Sequence, residues 1–145
     1  MKKIAIYPGS FNPIHGGHQQ VIDLALKIFD EVIIVIGQNP NKGPIENLKE
    51  RVDNIRKIYP YKLDSGELSV IGSRKMTGKI AKDYNAYIIK GVRNFIDFQN
   101  ELEQASFNKI KFGVDTILIP SKPELSFMSS TLMRELKKYG ELEEE

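Results

Sequence analysis

The chain's two histidines stand three residues apart, in Tyr7-Pro8-Gly9-Ser10-Phe11-Asn12-Pro13-Ile14-His15-Gly16-Gly17-His18. An apolar run, Ile4-Ala5-Ile6, leads in, Gly, Pro and Asn break it, and an amphipathic run follows at once. Such a strand, glycine-rich loop and helix N-terminus receive phosphate well, because open backbone N–H groups and the helix dipole both favour an anion. In that reading Gly16 and Gly17 admit close approach and His18, in the first helical turn, aims an N–H at phosphate. The same residues also spell an ordinary strand-to-helix turn with a capping histidine, and the stretch alone does not choose. A zinc site fares worse, since two histidines are too few and the chain has no cysteine.

Three further clusters have suitable chemistry. Lys42 lies in the loop Asn39-Pro40-Asn41-Lys42-Gly43-Pro44. Lys90-Gly91-Val92-Arg93 sets two cations around a glycine at a strand end, and such charges want an anion, either a ligand's or that of Asp97 and Glu101. Ser129-Ser130-Thr131 opens a helix. One hydroxyl suffices as a cap, but three in a row offer several donors to a polyphosphate, with Lys122 and Arg134 adding positive charge. All four clusters prefer phosphate. No nucleophile has an evident partnered base, and neither a Walker-type loop nor Gly-x-Gly-x-x-Gly is present. Hydrolase, kinase and dehydrogenase readings are therefore weak.

The elements that must hold these clusters alternate. Strands are expected at Ile4–Tyr7, Val32–Ile36, Leu68–Ile71, Ala86–Ile89 and Val114–Ile119. Helices are expected between them: Val21, Leu24, Ala25 and Ile28 form one buried face, and Leu48, Val52, Ile55 and Ile58 another, behind a cap of Asn47 and Glu50. A short helix covers Thr77–Tyr84. Asp97 to about Lys109 follows with Phe98, Leu102 and Ala105 inward. A last helix starts at Ser129 or Ser130 and buries Leu132, Met133 and Leu136. Five strands alternating with helices imply one α/β domain, a doubly wound, Rossmann-like fold with a five-stranded parallel sheet over residues 1–140, and an acidic tail at 141–145. Ligands then bind outside the carboxyl ends of the strands, where all four clusters fall.

With 145 residues, 41% hydrophobic and 28% charged, the composition is that of one globular domain, and a net charge of +2 argues for neither nucleic acid nor a membrane surface. The basic N-terminus has too short an apolar stretch for a leader, and Pro8-Gly9 ends it, so the cytoplasm is the expected location.

Ser10 to His18 resembles the (T/S)-x-x-x-x-(H/T)-x-G-H element of the nucleotidyltransferase superfamily, and Ser129-Ser130-Thr131-Leu132-Met133-Arg134 resembles its I-S-S-T-x-x-R element. Within it, the chain is similar to the bacterial phosphopantetheine adenylyltransferase family over roughly residues 3 to 139. Ala5 to Phe11 resembles that family's opening, and Lys42 stands at its phosphate-binding lysine. Lys90-Gly91-Val92-Arg93 with Asp97-Phe98, Glu101 and Asn108 resembles its R-G-L-R…D-F-x-x-E…N segment, and Ser126 to Thr131 its S-F-I-S-S-(S/T). His15 stands where that family usually has Thr, Lys90 replaces its first Arg, and residues 73 to 79 match poorly. His15-Gly16-Gly17-His18 is nearer to nicotinate-nucleotide adenylyltransferases and cytidylyltransferases.

The resemblance implies adenylyl transfer from ATP to 4′-phosphopantetheine, giving dephospho-coenzyme A and pyrophosphate without a covalent intermediate. It implies His18, Lys42 and Ser10 as catalytic. Pro8, Gly9, Ser10, Phe11, Gly17, His18, Arg93, Glu101, Ser129, Ser130 and Thr131 would meet ATP. Ser10, Lys42, Met76, Lys90 and Asn108 would meet the acceptor. It further implies Mg²⁺ carried between phosphates through waters, with no acidic metal cage, and a homo-oligomer, hexameric by family resemblance. A sister enzyme acting on nicotinate mononucleotide, a cytidylyltransferase and a non-catalytic nucleotide-binding module stand as alternatives.

Overall fold

Val32 to Ile36 are all β-branched and all buried, so both faces of their strand need covering. In the computed structural model, which describes residues 1–37, 43–121 and 129–141, they form β2 (Glu31–Gly37). The other strands are β1 (Ile4–Gly9), β3 (Leu68–Ser73), β4 (Tyr87–Val92) and β5 (Thr116–Pro120). Helices α1 (Gly16–Ile28), α2 (Leu48–Ile58), α3 (Pro60–Ser65), α4 (Thr77–Tyr84), α5 (Phe95–Phe112) and α6 (Ser130–Lys138) connect or follow them. The sheet is wholly parallel, in the order β3-β2-β1-β4-β5. One face packs on Val21, Ile22 and Ala25 of α1, Ile55 of α2 and Phe11, and the other on Ile80 and Ala81 of α4, Val114 and Phe112. The chain builds outward from β1 through β2 to β3, then returns to set β4 on the other side of β1. That reversal between β1 and β4 opens a crevice at their carboxyl ends.

The expected α/β fold is thus present, with differences in detail. In α1 the buried stripe is turned toward Ile22, with the C-cap Phe29 continuing it, leaving Leu24 and Ile28 40% and 54% exposed. Asn47 does precede α2, but its φ is +53° and its side chain makes no capping bond. Ile58 is exposed, and the inward position between Leu48 and Ile55 is taken by Arg51, which is buried. Helix α3 was not expected. Pro60 starts it and Gly66, at φ +81°, ends it. Helix α5 extends beyond both expected ends, from an Asn94 cap to Gly113. It meets the rest of the domain through Ala105, Asn108 and Phe112, so Phe98 and Leu102 stay largely exposed. No residue of α6 is buried; Met133 and Leu136 are half-buried and Leu132 is exposed. Of the tail, residues 142–145 lie outside the described residues.

Candidate active site

β1 delivers Pro8 and Gly9 to the crevice, and the loop turns back over the sheet at Phe11. Phe11 is fully buried with φ +47°, and its ring lies so close to Gly9 that a Cβ there would stand 2.9 Å from it. Glycine at position 9 is therefore what lets the loop fold onto its own aromatic ring. Phe11 packs edge-on to Tyr7, ring centroids 5.2 Å apart, and lies 4.6 Å from His18. Tyr7 is buried, and burial together with the charge of Glu101 pushes its hydroxyl pKa above the usual value, so it stays protonated.

The histidines both cap α1. His15 is its N-cap and its Nδ1 accepts from the Gly17 N–H at 3.1 Å. The His15 N–H donates to His18 Nδ1, also at 3.1 Å. The rings stack, centroids 3.7 Å apart and planes 23° from parallel. A ring nitrogen that accepts a backbone N–H carries no proton, so each neutral imidazole holds its proton on Nε2. Capping and donation to a ligand, alternatives in the sequence, are not exclusive: Nδ1 is the nitrogen that serves the helix, and donation would fall to Nε2–H.

At the end of β4 the cations meet internal acids. Lys90 Nζ lies 3.6 Å from Glu101 Oε1, both side chains mostly buried. Arg93 Nε and its backbone N–H both donate to Asp97 Oδ2 at 3.2 Å. Lys90 and Glu101 line a small cavity of about 60 Å³ with Pro8, Thr77, Gln104, Ala105 and Asn108. Through Thr77, Gln104 and Asn108 it adjoins a second cavity, of about 410 Å³, bounded by Met76, Glu103 and Phe107. Pro8, Met76, Lys90, Glu101 and Asn108 are thus brought to one crevice, although they come from four separate stretches of chain.

Ser129 caps α6, its Oγ accepting from the Leu132 N–H at 3.1 Å, and Arg134 Nη2 donates to Thr131 Oγ1 at 3.4 Å. Ser130 is exposed. Lys42, Lys122 and Ser126 to Met128 lie outside the described residues.

A larger cavity, about 440 Å³, lies at the amino-terminal end of the strands, among Lys3, Lys82, Asn85, Tyr87, Gly113 and Asp115. Helices α4 and α5 end there, at Asn85 and Gly113, so it faces helix C-termini, the wrong end of the dipole for phosphate. The loop-side crevice is the better site. Sequence reasoning missed Thr77, Gln104 and Phe107 there. It also missed Arg51, whose Nη1 donates to the Ser10 carbonyl at 3.3 Å. The signal for Arg51 was available, as a charge on the inward stripe between Leu48 and Ile55.

Among the described residues no three His, Cys, Asp or Glu side chains gather to hold a metal ion. No described helix is long and apolar enough to cross a membrane.

The cytidylyltransferase-like family model matches residues 6–136. The chain is 43% identical over 141 residues to the phosphopantetheine adenylyltransferase of Buchnera aphidicola subsp. Schizaphis graminum, covering 96% of this chain and 84% of that protein. It is 41% identical over 144 residues to that of Carboxydothermus hydrogenoformans, with 95% and 85% covered. To that of Mycoplasma capricolum subsp. capricolum it is 37% identical over 139 residues, with 94% and 98% covered. Two similar solved structures share the fold at lower identity. The Plasmodium falciparum nicotinic acid mononucleotide adenylyltransferase has a TM-score of 0.58 at 18% identity, over 93% of this chain and 70% of that one. The lipopolysaccharide core biosynthesis protein of Thermoplasma volcanium has 0.55 at 19%, over 86% and 99%. The likeness in sequence runs nearly the length of the chain, and with it the chain belongs to the phosphopantetheine adenylyltransferases, within the cytidylyltransferase-like nucleotidyltransferases.

Proposed function

We propose that this chain transfers the adenylyl group of ATP to 4′-phosphopantetheine, in coenzyme A biosynthesis, with the crevice between β1, β4 and α5 as its acceptor site. The carrying observation is the continuity of the two cavities. Lys90 offers a cation at the inner one, and the outer one has an apolar rim, Met76 and Phe107, with side-chain amides of Gln104 and Asn108. A phosphate bearing a flexible, amide-containing arm matches that sequence of surfaces.

A phosphate oxygen of the acceptor attacks the α-phosphorus of ATP in line, the bond to the β-phosphate bridging oxygen breaks, and pyrophosphate departs with that electron pair. The nucleophile is already an anion, so positioning and charge neutralisation carry the catalysis. His18 Nε2–H donates to an α-phosphate oxygen. Ser10 and Lys42 hold the incoming phosphate. Lys90 exchanges part of its pairing with Glu101 for that phosphate, and Asn108 meets the arm. Pro8 and Glu101, which also line the inner cavity, stand with Gly9, Ser10, Gly17 and Arg93 on the nucleotide side, with Phe11 buried behind them, and Ser129, Ser130 and Thr131 take the β- and γ-phosphates.

The one carboxylate in the inner cavity, Glu101, pairs with Lys90. That donor set suits Mg²⁺ held by the substrate phosphates and water, where the ion offsets polyphosphate charge. Phe95, Ile96 and Ile110 stand 81%, 70% and 87% exposed on α5, an apolar surface that a second copy would cover. On that basis the protein is a homo-oligomer, which sedimentation measures. Its place is the cytoplasm.

Pyrophosphate release tests the reading, with ATP or CTP offered to phosphopantetheine or nicotinate mononucleotide. Release with ATP and phosphopantetheine is expected. Release only with CTP or only with nicotinate mononucleotide would overturn the assignment of nucleotide or acceptor, and no release with any pair would leave a binding module.

A further inference from the structure

Arg51 is 8% exposed, yet among the described residues no carboxylate lies within ion-pairing distance of it and its buried Nε has no hydrogen-bond partner. Its one recorded bond runs from Nη1 to the Ser10 carbonyl. A guanidinium is always charged, and burying it without a counter-ion is costly. Replacing it with an apolar side chain of similar reach would suit the surrounding Leu48, Val52 and Ile55 better.

The geometry says what the charge can do. The Ser10–Phe11 peptide is trans, since the described residues have a cis bond only at Asn12-Pro13. In a trans peptide C=O and N–H point opposite ways, so with the Ser10 carbonyl turned to α2 the Phe11 N–H points away from it. That N–H belongs to the fully buried Phe11, but Ser10 itself is exposed, so the guanidinium braces from behind a residue that is open to a ligand. We infer that Arg51 is a positioning residue for the nucleotide: it holds Ser10 from behind, and the phosphates bound in front supply the counter-charge that the described residues do not.

This rests on the nucleotide reading of the loop, but not on the acceptor. The test therefore reads ATP binding by calorimetry and melting of the ligand-free protein, beside wild-type pyrophosphate release. Arg51→Met is expected to melt, without nucleotide, at or above the wild-type temperature while binding ATP roughly 5- to 150-fold more weakly, the usual range for coupled sites. Arg51→Lys, which keeps the charge, is expected to recover much of that affinity. A ligand-free Arg51→Met that melts lower or does not fold would make Arg51 a scaffold residue and overturn the inference. Wild-type affinity in Arg51→Met, or no recovery in Arg51→Lys, would overturn it too. A wild-type protein that binds ATP but releases no pyrophosphate with phosphopantetheine would remove the acceptor and leave the Arg51 result standing. One that binds no ATP would remove both.

Discussion

On the proposed mechanism His18 has two separable jobs, helix cap and phosphate donor, and three substitutions tell them apart. Its Nδ1 accepts the His15 N–H at 3.1 Å, a bond worth about 1 kcal/mol. Its ring lies 3.7 Å from His15 and 4.6 Å from Phe11, contacts worth together about 1–2 kcal/mol at a half-exposed site. His18→Ala loses all of these, so the melting temperature should fall by roughly 6–9 °C, at about 3 °C per kcal/mol for a domain of this size. Turnover should fall about 10²–10³-fold, the effect of removing one transition-state donor. In His18→Asn the amide can place its oxygen near the Nδ1 position. It keeps the cap and should recover part of the melting temperature, but it should be as slow as His18→Ala. In His18→Gln the amide nitrogen can reach the Nε2 position, so turnover should partly return while the cap stays broken. Pyrophosphate release at saturating substrates and thermal melting measure both quantities. An Asn variant turning over like wild type, or a Gln variant no faster than Ala, would refute the assignment of the donor to Nε2–H.

Gly78 lets α4 approach α5 closely: a Cβ there would stand 2.5 Å from Asn108 Oδ1 and overlap the Phe112 ring. Gly78→Ala should therefore displace Asn108 and raise the KM for phosphopantetheine while leaving that for ATP, and overpacking of about 1–3 kcal/mol should exceed the smaller gain in helix propensity. An unchanged acceptor KM in steady-state kinetics would show that Asn108 does not touch the arm. Lys62 Nζ donates to Glu67 Oε2 at 2.6 Å and holds the carboxyl pKa below its ordinary value of 4.5. A depressed pKa contributes stability that is present above 4.5 and lost as pH falls through the lowered value. Glu67→Gln should then melt slightly below wild type at pH 7, with the difference closing in strong acid. A gap that persists in acid would assign the loss to something other than the ion pair.

The sheet was legible because β2 has a pattern with one solution: Val32 to Ile36 are β-branched on both faces, which only a central parallel strand buries. The place of the polar clusters was legible for a related reason, since Pro8, Met76, Lys90, Glu101 and Asn108 do meet at one crevice, but their structural duties were not: both histidines cap α1, and Lys90 and Arg93 pair with internal acids. What was not legible was which side of each helix faces inward. Leu24, Ile28, Phe98 and Leu102 read as core and are exposed, because periodicity marks an apolar stripe without saying how far the neighbouring element covers it. Arg51 shows the converse: a helix reading that fills inward positions with Leu, Val and Ile passes over the charge among them. The ion pairs Lys90–Glu101 and Arg93–Asp97 realise the internal pairing that the sequence left open against anion binding. A pair at 3.6 Å still leaves Lys90 able to share its charge with a phosphate in the same cavity.

His15 departs from the Thr usual in the family it resembles, and the structure locates the consequence. As N-cap of α1, His15 accepts from Gly17 with Nδ1, which a threonine hydroxyl at an N-cap does equally well. What the imidazole adds is a flat surface against His18. The proposed acceptor cavity has other walls, Met76, Thr77, Gln104, Phe107 and Asn108. On the proposed mechanism the substitution would therefore act on the orientation of the His18 ring, not on the choice of acceptor. His15→Thr should keep the KM for phosphopantetheine and change kcat alone, by loosening His18. A shift in acceptor KM, or activity moving between phosphopantetheine and nicotinate mononucleotide, would return His15 to the acceptor side of the site.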